Sequence, residues 1–139
     1  MAQHIRDIMT SAPVAVGPDT AVREVSRRMR DEDIGAVLVA EDDRLRGLVT
    51  DRDLVVRVLA EGEDADATPV RNACSPELVT VTPDDEVVQA VRVMRQHSLR
   101  RVPVVEGEKA VGMVSLGDLA VERDPDSALG GISAASPNS

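Results

Sequence analysis

Two short stretches hold the residue types in this chain that could do chemistry together. Gly47-Leu-Val-Thr50-Asp-Arg-Asp53 and Gly112-Met-Val-Ser115-Leu-Gly-Asp118 each run glycine, two apolar residues, a hydroxyl, two variable residues and an aspartate. One account is a capping box, in which the hydroxyl accepts from the backbone N–H three residues on and the carboxylate reaches back. The other uses the same geometry, because a helix start offers N–H groups and partial positive charge to an anion. There the hydroxyl can donate to a phosphate oxygen, the aspartate can accept from both hydroxyls of a ribose, and the glycine lets a ligand come close to the backbone. Ribose and phosphate together imply a nucleotide. The spacing alone allows both accounts.

The elements that must position these stretches come from an internal repeat. Residues 5–57 match 70–122 at a constant offset of 65 without a gap, with seventeen identities that include Pro18/Pro83, Asp19/Asp84, Gly47/Gly112 and Asp53/Asp118. Shared hydrophobic patterning alone would not preserve Pro, Gly and Asp. The division expected is repeat 1 over 5–62, a polar linker over 63–69, repeat 2 over 70–123, and a Gly-, Ser- and Ala-rich tail over 124–139 with a disorder-prone composition.

Within a copy the order is strand, helix, strand, strand, helix. Val14-Ala-Val16 alternates and stops at Gly17-Pro18, Asp19 is a good N-cap, and Val22, Val25 and Met29 share a helical face. Gly35 is placed to end that helix. Ala36 to Ala40 is a continuous apolar strand, Glu41 to Arg44 a charged turn, and Leu45 to Val49 the return strand. Leu54, Val55, Val58 and Leu59 form a second amphipathic helix that closes at Gly62. The fold class is therefore α/β, in the α+β sense, as two βαββα units.

Composition excludes several roles. A formal charge of −9 and a pI near 4.6 are wrong for nucleic acid, and the absence of Phe, Trp and Tyr removes any stacking platform. No run is long enough for a membrane span and the start carries no apolar signal segment, so a cytoplasmic location is expected. Cys74 with His4 and His97 is a poor metal set, and Cys74 reads as a small buried hydrophobe. The acids Asp31-Glu-Asp33 and Asp42-Asp43 read as solvated turn and helix-end residues. With no nucleophile–base pair, metal cluster or P-loop lysine, no enzyme is expected.

The duplicated unit with both motifs resembles a tandem pair of CBS (cystathionine beta-synthase) domains, a Bateman module, over residues 5–122. Met29-Arg-Asp-Glu-Asp-Ile-Gly35, Gly47 to Asp53 and His97-Ser-Leu-Arg-Arg-Val-Pro-Val104 are also similar to the small stand-alone bacterial two-CBS proteins of the hypoxic response protein type. The resemblance implies pseudo-twofold packing of the two repeats and clefts between them. It also implies a regulatory ligand carrying adenosine (AMP, ADP, ATP, NAD or S-adenosylmethionine), no required cofactor, and a homodimer that an unknown protein partner reads. Carried onto this chain, Thr50 and Ser115 are phosphate or ribose contacts and Asp53 and Asp118 ribose ligands. Val14, Val79, Ala36, Val37, Arg101 and Val102 line the adenine pocket.

Arg100-Arg101 replaces Gly35-Ala36 in the second copy, and Arg52 is matched by Gly117. These arginines are either ordinary surface charges or phosphate contacts that make the two sites unequal. The alternative function is a stress or interaction protein that keeps the fold without the ligand, both motifs being caps alone.

Overall fold

The structure, a computed structural model, describes residues 4–75 and 78–123; the tail expected over 124–139 lies outside them. Two compact units result, and their composition does not follow the repeat boundary. The first unit is built from residues 14–75 with Leu78, the second from 79–123 together with 4–13. The opening segment of each repeat is thus packed into the unit formed by the rest of the other repeat.

In the first unit β2 (Ala15–Val16), β3 (Ala36–Glu41) and β4 (Arg44–Thr50) form a sheet ordered β2-β3-β4. Strand β2 runs parallel to β3, and β3 pairs antiparallel with β4. Helix α1 (Val22–Glu32) lays Val22, Val25 and Met29 on the sheet, the face that spacings of three and four select. A second helix begins as α2 (Asp51–Leu54) and continues as a π-helical stretch over Val55–Leu59. The core is aliphatic: Val22, Val25, Val37, Val39, Val49, Val58 and Val70 are each at most 3% exposed. Burying such a side chain contributes about 1.5–3 kcal/mol.

The second unit repeats the plan. The sheet is ordered β1 (Thr10–Ser11), β6 (Lys109–Ser115), β5 (Arg101–Glu106), flanked by α3 (Val87–His97) and α4 (Leu116–Arg123). The strand expected over Val79–Val81 is reduced to one parallel bridge between Val81 and Val104. Both hairpins carry a register shift at the equivalent place, Val39/Ala40 and Val104/Val105.

Three local expectations are corrected. Asp19 does not cap α1, which starts at Val22 behind Ala21 with no side-chain cap. Its first N–H groups are instead satisfied by carbonyls from the stretch expected to be a linker, Val22 N to Thr68 O at 2.9 Å and Arg23 N to Ala65 O at 3.0 Å. Asp84 likewise stands before α3, which starts at Val87 behind Glu86. Gly35 does not end α1 either; Asp33 does, in the left-handed region at φ 53°, with its N–H on Met29 O. Ser98 ends α3 in the same way, at φ 56°.

Asp19 and Asp84 have another job. The exchanged segments are 3₁₀ turns, Ile5–Asp7 and Val70–Asn72. Arg71 pairs with Asp19 and Arg6 with Asp84, the same pair in each unit once the offset is applied. Main-chain bonds match too: Val70 N to Thr20 O (2.8 Å) and Arg71 N to Pro18 O (3.1 Å) in the first, Ile5 N to Asp85 O (2.9 Å) and Arg6 N to Pro83 O (3.1 Å) in the second.

The segments then run to Gly47 and Gly112. A Cβ on Gly112 would stand 2.5 Å from Met9 Sδ and 3.0 Å from Thr10 O, and one on Gly47 3.1 Å from Cys74 Sγ. Met9 and Cys74 are equivalent across the repeat, so each glycine makes room for the exchanged segment. That packing is a structural use of the two glycines that the sequence did not reveal.

Gly112→Ala is therefore expected to lower the unfolding free energy by about 1–3 kcal/mol through overpacking, read from urea unfolding followed by circular dichroism. Adding Met9→Ala should restore part of it. An unchanged midpoint in Gly112→Ala would show that Met9 does not sit against β6.

Candidate functional site

Strand β4 ends at Thr50 and the helix opens at Asp51; β6 ends at Ser115 and α4 opens at Leu116. Both boxes form with the same geometry. Asp53 N donates to Thr50 Oγ1 at 3.1 Å and Thr50 N to Asp53 Oδ2 at 2.9 Å. Asp118 N donates to Ser115 Oγ at 3.1 Å and Ser115 N to Asp118 Oδ2 at 2.8 Å. Each hydroxyl, serving as acceptor here, keeps its own proton to donate elsewhere. Each carboxylate keeps its second oxygen outside the box.

The residue just ahead of β3 or β5 is bolted to each helix start. Asp51 N donates to Gly35 O at 3.0 Å and Leu116 N to Arg100 O at 2.8 Å. Ala36 lies opposite Thr50 and Val37 opposite Val49, while Arg101 lies opposite Ser115 and Val102 opposite Val114. Val14 O accepts from Leu38 N at 2.9 Å. The first unit thus gathers Val14, Ala36, Val37, Thr50, Arg52 and Asp53 at one sheet end; the second gathers Arg100, Arg101, Val102, Ser115 and Asp118. Val79 packs against the second core just before the Val81 bridge. Val37 and Val102 are fully buried in the two cores, so what they present near the motifs is main chain.

The helix start in the first unit offers less to an anion than the sequence suggests. Asp51 N is held by Gly35 O, Arg52 N by Asp51 Oδ1 at 2.9 Å, and Asp53 N by Thr50 Oγ1. Its first three N–H groups are already satisfied. In the second unit Leu116 stands where Asp51 does and has no carboxylate to occupy the Gly117 N–H.

Beside Asp53 the first unit opens a concavity of about 440 Å³ lined by Arg52, Asp53, Val56, Arg57, Glu61 and Asn72. Arg57, one turn beyond Asp53, brings Nε to 3.5 Å from Asp53 Oδ1. Asp53 is the more buried partner, with 17% of its side chain exposed against 43% for Arg57. Arg52 forms no ion pair among the described residues, and neither do Arg100 and Arg101.

Sequence reasoning left out Arg57, Glu61 and Asn72. Arg57 was detectable as an acid–base pair four residues apart on a helix. Asn72 carried no local signal, because it arrives on the exchanged segment.

Cys74 is half-buried rather than fully buried, and its Sγ lies 3.4 Å from Val70 O. Its thiol is pushed up from its ordinary value, first by burial and then by the Asp53 carboxylate, against an opposing pull from Arg57. Among the described residues no three His, Cys, Asp or Glu side chains are grouped to hold a metal ion.

Two outcomes follow. Thr50→Ala and Ser115→Ala should each lose about 0.5–2 kcal/mol of stability without any ligand present, by chemical denaturation. Loss of neither would mean that the boxes do not hold the helix starts. Cys74, protonated in the folded chain to higher pH than in the unfolded one, adds stability below the unfolded thiol's pKa that is lost as pH rises past it. Its alkylation by iodoacetamide should accordingly lag free cysteine around pH 8 and catch up only at higher pH; parity at pH 8 contradicts the burial.

Known proteins locate this arrangement. The CBS domain family model matches residues 5–60 and 70–123. The chain is 37% identical over 126 residues to the CBS domain-containing protein YhcV of Bacillus subtilis, covering 91% of this chain and 89% of that one. To Hypoxic response protein 1 of Mycobacterium tuberculosis it is 34% identical over 116 residues, covering 83% and 81%. The crystal structure of Hypoxic Response Protein I with two coordinated zinc ions superposes with a TM-score of 0.78 at 34% identity, over 84% of this chain and 96% of that one. CBS-domain proteins are generally regulatory modules. With both motifs built alike at the strand–helix junctions of two matched repeats, the chain belongs to the CBS domain family as a tandem pair.

Proposed function

We propose that the chain is a non-catalytic sensor module that binds an adenosine-containing ligand, such as AMP, ADP, ATP, NAD or S-adenosylmethionine, and signals occupancy to a partner through its conformation. The observation that carries this is the carboxylate oxygen of Asp53 and of Asp118 that the capping box does not use. A capping box uses one carboxylate oxygen, and in both copies the box hydroxyl, an acceptor there, keeps a proton to give. The family adds support. So does the concavity beside Asp53, whose size lies within the range of small-molecule sites.

Adenine has no aromatic side chain to stack on and would be held by aliphatic contacts and main-chain groups near Val14, Ala36 and Val37, with Val79, Arg101 and Val102 as their counterparts. That suits modest affinity. A homodimer and a cytoplasmic setting belong to the same reading. Val55, Val56 and Leu59 of the first unit, at 54%, 46% and 74% exposed, support a protein-covered face there. Among the described residues no helix is long and apolar enough to cross a membrane.

A second reading, an interaction or stress protein without ligand, draws on the fully satisfied N–H groups of Asp51, Arg52 and Asp53. One measurement separates the two. Thermal unfolding with AMP, ATP, NAD and S-adenosylmethionine, backed by calorimetry, should show a bound ligand adding about 2.7 kcal/mol at 100 times its Kd. Asp53→Ala and Asp118→Ala should remove that gain. Silence with the whole panel, or gains untouched in the double variant, selects the second reading.

A further inference from the structure

Asp53 is not equally available in the two copies, and the reason lies four residues along the chain. In the first unit the oxygen of Asp53 that the box leaves over is held by Arg57. Any ribose that takes this oxygen must displace a guanidinium from it, and the displaced guanidinium, exposed beside the concavity, is left free to take a new partner. The helix N–H groups cannot be that partner, being donors already satisfied within the chain. An anion on the ligand can be.

The surroundings fit such an exchange. Arg57 and Arg52 both line the concavity, Arg52 without an ion pair among the described residues, and Asn72 adds an amide. The remaining charge there is Glu61, exposed at the rim. At the equivalent positions the second copy has Gly117 for Arg52 and Glu122 for Arg57. That copy therefore has no cation at the places that Arg52 and Arg57 occupy in the first. Its two arginines, Arg100 and Arg101, sit on the strand side of the motif instead, with Arg101 opposite Ser115.

Building on the adenosine reading, we propose that Arg57 is a specificity-determining residue of the first unit. It holds Asp53 until a ligand supplies both a ribose and an anionic group, and it passes from the carboxylate to that anion as the ribose binds. The Asp53 site then accepts a nucleoside phosphate and rejects a nucleoside. The Asp118 site makes no such demand through its helix.

The test is an amide NMR titration of the full chain carrying Asp118→Ala, so that the Asp53 site reports alone, with adenosine, AMP and inorganic pyrophosphate as probes. AMP should bind at least about tenfold more tightly than adenosine, the worth of one charge-assisted contact. In Arg57→Gln the gap should close to within about threefold, adenosine improving while AMP weakens; Arg57→Lys should keep most of it. Pyrophosphate should shift the Asn72 and Arg57 amides, and this should vanish in Arg52→Gln/Arg57→Gln.

Equal affinity for adenosine and AMP, or a gap indifferent to Arg57→Gln, overturns the proposal and leaves the adenosine reading standing. If neither adenosine compound binds, the adenosine reading falls for the Asp53 site and pyrophosphate decides the rest. Shifts at Asn72 that require the arginines uphold the anion exchange, and their absence ends it. Arg57 is 43% exposed, so the variants should fold, which their amide spectra verify.

Discussion

The reciprocal exchange of the opening segments is the constraint on which both units rest. Each sheet has a glycine in its last strand whose missing Cβ is replaced by a sulfur-bearing side chain from the other repeat, Met9 over Gly112 and Cys74 over Gly47. Each segment is fastened by an arginine to an aspartate just ahead of the first helix, Arg6 to Asp84 and Arg71 to Asp19. Exposed ion pairs of this kind contribute little energy singly. The main-chain bonds of the same residues fix the register in which Ile5 and Val70, both fully buried, enter the two cores.

The same exchange shapes the ground around the motifs. Asn72 and Cys74 stand beside Asp53 only because residues 70–75 cross into the first unit. The concavity there is composite: helix residues of one repeat form one part and the opening turn of the next forms another.

Much of this was legible in the sequence, and most of the failures share a cause. Hydrophobic period placed α1, β3, β4 and the helix after Thr50, because each buries one face on a sheet and the burial enforces the period. The boxes were legible since all their atoms lie within four residues. Asp19 looked like an N-cap because it precedes an amphipathic run, yet its partner is Arg71, 52 positions away. At Gly47 nothing local revealed the packing of Cys74. The expected linker looked polar and idle, while its carbonyls at Ala65 and Thr68 complete the start of α1. Wherever the deciding partner came from the other repeat, local pattern named the wrong one.

The cores described above contain valine, leucine, isoleucine, methionine and alanine, and the chain has no Phe, Trp or Tyr anywhere. Branched aliphatic side chains pack such interiors stiffly, but they also leave the folded chain almost transparent in the near ultraviolet. A purine held by this protein would supply nearly all of the absorbance of the complex. The spectrum of the purified chain is thus a direct optical gauge of how many of its sites are filled.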